Sequence, residues 1–117
     1  MTLLNDVKAA LDPIDKHVYY GTAAEHDKSL PWDYIVFSRD VVRRKPNKSG
    51  NTYIVNVAIV REEFVPEDID KLVSEAMEAI PGVRMVEGDH EFFYSVKPNT
   101  HHTVEMVVLK FTYSRKL

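Results

Sequence analysis

Apolar residues recur along this chain with two periods, one near four and one of two, and those periods divide it into elements. Near the start, Leu3, Leu4, Val7, Ala10, Leu11 and Ile14 fall at spacings of one, three and four. That spacing gathers them on one side of a helix, with Thr2 placed to cap it. Pro13 limits the helix, because a proline ring clashes with the carbonyl four residues earlier; the predicted end is near Leu11 or Asp12. The strongest helical stripe is Ile69, Leu72, Val73, Ala76, Met77 and Ile80. Pro66 suits its first position, Glu67 and Asp68 complement the positive end of its dipole, and Pro81-Gly82 ends it.

The period of two governs the rest. His17 to Tyr20 is a short β-prone run closed by Gly21, and the polar stretch Thr22 to Ser29 reads as a loop. Tyr34-Ile35-Val36-Phe37-Ser38 is apolar on both faces, which predicts a central strand, or one whose outer face meets a partner. Strand character continues through Val42 and stops at a basic, turn-forming segment that runs to Asn51. Beyond it Tyr53, Val55, Val57 and Ile59 alternate with Ile54, Asn56, Ala58 and Val60. Two strands around a loop too long for a tight turn predict a hairpin with a flexible arm at about 43–51. Val83 with Met85 and Val86, the stretch Glu91 to Val96, and Thr103 to Tyr113 supply the remaining strands.

The expected fold is α+β, in the order α-β-β-β-α-β-β: an antiparallel sheet of about four to five strands with two helices on one face. Val36, Ile54, Ala58, Val60, Val104, Met106 and Val108 would then lie on the other face, which is more apolar than a solvated face needs and reads as an association surface.

Composition narrows this picture. A chain of 117 residues, 44% hydrophobic and 28% charged, suits one globular domain over 1–117. The formal charge of −3 gives the domain as a whole no electrostatic reason to seek nucleic acid or an anionic membrane. The absence of cysteine excludes disulfides, thiolate nucleophiles and Cys-ligated zinc. No apolar run approaches the roughly 20 residues of a membrane span, and the first residues lack a signal-peptide pattern, so neither secretion by a standard signal nor membrane insertion is expected.

Candidate chemistry is sparse. His101 and His102, with Asp89, His90 and Glu91, form the best metal-ligand cluster, but adjacent strand residues point to opposite faces and no His-x-His or His-x-x-x-His pair exists. Glu62, Glu63, Glu67 and Asp68 sit at element ends, where they solvate and complement the helix dipole. Ser38, Ser74 and Ser95 have no nucleophile elbow, and four glycines form no phosphate loop. No enzyme activity, metal or cofactor is expected. Arg43, Arg44, Lys45 and Lys48 are the one directional cluster of charge; they make either a solvated turn or an arm that meets phosphates or an acidic partner. Trp32, the single tryptophan, either anchors the strand that follows it or sits in a subunit interface.

Over nearly its whole length the chain resembles the tail terminator or tail-completion proteins of long-tailed bacteriophages. The resemblance rests on the N-terminal amphipathic helix, Val18-Tyr19-Tyr20-Gly21, a polar loop, Leu30-Pro31-Trp32-Asp33-Tyr34-Ile35-Val36-Phe37, the long hairpin, one further helix and closing strands. It implies a homo-oligomeric ring, commonly hexameric, that caps the tail tube and meets the head-tail connector in the virion after synthesis in the host cytoplasm. It matches Arg43, Arg44, Lys45 and Lys48 to a hairpin loop that in this family faces the tube or a neighbouring ring; the loop's basic character is not a hallmark of the family, and facing the DNA-conducting lumen is an equal alternative. A head-tail connector or minor capsid protein is the nearest alternative, and a small nucleic-acid-binding regulatory module using the basic arm is the alternative from another class.

Overall fold

The structure is a computed structural model that describes residues 3–44, 50–86, 88 and 90–116, with the backbone alone at 41, 43, 44, 115 and 116. Pro13 ends the first helix as expected: α1 spans Leu3–Leu11, and the Asp12 and Ile14 amides reach back to the Lys8 and Leu11 carbonyls in a closing turn. The Thr2 cap lies outside the described residues. The second helix, α2 (Ile69–Glu78), starts later than its sequence signals suggest. Val65 precedes a proline, which disfavours helical backbone, and its amide donates to Glu105 Oε1 at 2.7 Å. Pro66 therefore opens a turn, closed by the Ile69 amide, and Asp70 is the acid of the first helical turn. Ile69, Val73 and Met77 face inward, while Leu72 turns to solvent. Gly82 then redirects the chain: its φ is +87°, and a Cβ there would meet the Tyr113 ring at 3.2 Å.

The strands are β1 (Val18–Tyr20), β2 (Tyr34–Arg44), β3 (Gly50–Glu62), β4 (Val83–Met85), β5 (Phe92–Val96) and β6 (Thr103–Lys116). They form one six-stranded sheet in the order β1-β2-β3-β6-β4, with β5 pairing on the same side of β6 as β4. The sheet is mixed, which corrects the antiparallel expectation: β1 runs parallel to β2, with Val18 beside Ile35. The connection 21–33 is long enough to bring the chain back to the start of the sheet, as a parallel pair requires. Three strands follow α2, because the segment between Met85 and Phe92 separates two short strands along one edge of β6.

Strands β2 and β3 form the expected hairpin, and their ladder continues through Arg43 opposite Thr52 and Arg44 opposite Asn51. The ends of the predicted arm are thus paired strand, and residues 45–49 lie outside the described ones. A bulge between Arg39 and Val42 places two β2 residues against one of β3.

One face of the sheet carries the core. Ile35 and Phe37 of β2, Val57 and Ile59 of β3, and Val107, Leu109 and Phe111 of β6 pack against Val7 and Leu11 of α1 and Val73 and Met77 of α2. These strand positions alternate in sequence, so both helices cover the same face. We call this the inner face. At its end the Asp15 carboxylate meets Arg61 at 2.7 Å, with side chains only 7% and 13% exposed, and Arg61 also donates to the Tyr34 and Val60 carbonyls. No helix among the described residues is long and apolar enough to cross a membrane.

Candidate interaction surfaces

The loop between β1 and β2 folds over the outer face. Tyr19, His26 and Tyr34 pack edge-on and tilted, with ring centroids 4.8–5.9 Å apart. His26 is buried, its Nε2 lies 2.9 Å from the Pro31 carbonyl and its Nδ1 lies 2.8 Å from the Tyr19 hydroxyl. A carbonyl only accepts, so Nε2 carries the proton and Nδ1 accepts from Tyr19. The imidazole thereby pins the loop to the sheet. Burial raises the pKa of Tyr34, and the neighbouring Tyr19 adds to the shift.

Trp32 is held by a second clamp. Its amide donates to Glu62 Oε1 at 2.9 Å, while the Glu62 amide donates to Asp33 Oδ1 at 3.1 Å. Lys97 reaches the same Glu62 oxygen at 2.6 Å and lies 5.9 Å from the centre of the Trp32 ring, within cation–π range. The Lys97 ammonium, then the Trp32 amide, hold the Glu62 carboxyl below its ordinary pKa. Lys97 owes its position to the tight turn that follows, in which the Thr100 amide returns to the Lys97 carbonyl and Asn99 takes a φ of 64°. Trp32 is half-buried and separates two hollows, one lined by Ala23, His26 and Lys28, the other of about 220 Å³ by Val60, Phe93 and Met106. A further cleft of about 490 Å³ lies between Asn56, His90, Glu91, Phe93 and Lys110, and the Asn56 Oδ1 atom is buried there without a described hydrogen-bond partner.

These loops change the reading of the outer face. None of the seven apolar residues expected to lie open on it is exposed: Ile54, Val60 and Val104 are buried and the other four are half-buried. The exposed apolar surface lies instead along the margins of the sheet. Among the described residues nine large hydrophobic side chains are exposed, and only Phe64 and Leu72 are away from those margins. Tyr20 and Val42 lie on the β1–β2 margin; Val86, Phe92, Phe93, Tyr94 and Val96 lie on the opposite one. Phe92, Tyr94 and Val96 sit opposite Val107, Glu105 and Thr103, on the helix-bearing side of the sheet but beyond the helices. The Tyr94 hydroxyl bonds to Glu105, which raises its pKa.

The residues singled out from the sequence are not brought together. Arg43 and Arg44 lie at the far end of β2, Lys45 and Lys48 fall outside the described residues, and Trp32 belongs to the clamp at the other end of that strand. His90 and Glu91 line the outer cleft, His101 and His102 lie in the β5–β6 connection, and Asp89 is outside the described residues. Among the described residues no three His, Asp or Glu side chains are placed to hold a metal ion. Sequence reading missed the Glu62–Lys97 clamp and the exposed margin of β5. The first has a faint signal in Pro98-Asn99, a turn that fixes Lys97; the second has none beyond the apolar run Phe92 to Val96, because periodicity does not say which side of a strand is left unpaired. No family model matches the chain, and no curated protein matches it.

Proposed function

We propose that this protein is a structural component of a phage tail, which self-associates into a ring, caps the tail tube and joins it to the head connector. The observation that carries the reading is the concentration of exposed apolar side chains on two opposite, dissimilar margins of one sheet. A closed ring built from one kind of subunit needs two different complementary patches on each copy, whereas a two-fold dimer needs one self-complementary patch. The whole-chain resemblance to tail terminator proteins supplies the setting: one rim of the ring meets the tail-tube protein, the other the connector, and DNA passes through the lumen.

The test is to add the purified protein to polymerised tail-tube protein and image the tubes by negative-stain electron microscopy. The proposal predicts ring-shaped density at one end of each tube and an end to further elongation. Tubes with bare ends that continue to grow at every ratio of the two proteins would contradict it.

A further inference from the structure

Resting on that reading of self-association, we propose that the β5 margin of one copy pairs with the β1–β2 margin of the next, so that one sheet runs continuously across subunits. Both margins are open among the described residues. β5 pairs only with β6, and β2 from Ser38 onward pairs only with β3. A strand with one unpaired side presents a row of amides and carbonyls that another strand can satisfy.

Polarity permits the pairing. β2 and β6 both run antiparallel to β3, and β5 runs antiparallel to β6, so β5 is antiparallel to β2 and, through it, to β1. When neighbouring copies share their strand direction, as around an axis along the strands, the new pair is antiparallel. That geometry places directly opposed side chains about 5 Å apart.

The side chains match as well, face by face. On the helix-bearing side, Tyr20 lies beside Phe37 and Val42 opposite Tyr53; both are exposed, Val42 by 55%. On the same side of the other margin stand Phe92, Tyr94 and Val96, with Tyr94 exposed by 66%. A continuous sheet keeps this side common to both copies, so the two apolar rows cover one another. Charge is complementary on that side too. Arg39 donates to the Tyr20 hydroxyl at 3.0 Å on one margin, and the Glu105 carboxylate stands beside Tyr94 on the other. In the joined sheet Arg39 of one copy and Glu105 of the next stand on the same side, two strands or about 10 Å apart with Tyr94 between them, a separation over which opposite charges still attract.

A contact between two different margins has a signature that a self-complementary contact lacks. Val42→Lys damages one margin and Tyr94→Lys the other, and both positions are exposed enough for the fold to tolerate lysine. Circular dichroism and thermal melting verify that tolerance. Light scattering of each variant alone should give one subunit, 13.5 kDa, where the unaltered protein gives a multiple of it. Mixing the two variants should give a one-to-one dimer, because each retains the margin the other has lost. Folded variants that keep the unaltered mass, or that stay apart when mixed, overturn the margin contact while leaving self-association standing. An unaltered protein that is monomeric at every concentration overturns both.

Discussion

The two faces of this sheet are built from alternate residues of the same strands and are covered by different means. On the inner face two amphipathic helices bring Val7, Leu11, Val73 and Met77 against Val57, Ile59, Leu109 and Phe111, and all but a trace of these side chains is removed from water. On the outer face an irregular loop and the turn that follows β5 are held by particular polar contacts: His26 between Tyr19 and Pro31, Glu62 between Trp32 and Lys97. Hollows remain between those contacts. The difference shows that helices cover area while loops cover points. Apolar surface is therefore left where neither reaches, at the margins.

The comparison is broken most directly within β6, at two adjacent residues. Leu109→Ala, on the inner face, should cost about 4 kcal/mol in urea unfolding, as truncation of a fully buried leucine does. Val108→Ala, on the outer face, should cost about 1 kcal/mol or less; equal losses would show that the two faces are packed alike. Asp15→Ala comes next. It leaves the Arg61 guanidinium with no carboxylate at a nearly buried site, and the expected loss is about 3 kcal/mol. A melting temperature unchanged by this substitution would show that the pair has no role in holding the β1 approach to β3.

Smaller effects sharpen the view of the outer face. His26→Phe keeps the ring and removes both hydrogen bonds, at an expected cost of about 2 kcal/mol, with faster amide exchange in the loop 22–33. Glu62→Gln should cost about 1 kcal/mol at neutral pH. Because the folded protein holds this carboxyl below its ordinary value of 4.5, the contribution is fully present above that value and is lost as pH falls through the depressed folded one. The gap between the original and the glutamine variant should stay flat down to about pH 4.5 and close in stronger acid. A gap that widens in acid would assign the stability to another group.

How much of this was legible in the sequence follows from the same contrast. The inner face was: period-four stripes give both helices, alternation gives Val57, Ile59, Leu109 and Phe111, and Pro13 gives the end of α1. Local periodicity reports which side of an element is apolar, and an inner face requires little else. The outer face was not. The parallel placement of β1 depends on a loop returning across the sheet, and the clamp at Trp32 joins residues 30 and 35 positions apart in the chain. The pattern also assigned Ile54, Val60 and Val104 to open surface, because a strand's own sequence does not record which loop will cover it. The margin of β5 escaped for a related reason: the stretch Glu91 to Val96 reads as strand, and only the order of strands reveals that one side of it is open.

The most direct measurement is the mass of the unaltered protein in solution, by light scattering or mass photometry over a wide concentration range. A margin-to-margin contact between copies predicts one closed species whose mass is a fixed multiple of 13.5 kDa, with amides of β5 and of β2 beyond Ser38 protected from exchange in that species. A single subunit at every concentration, with both margins exchanging freely, would contradict it.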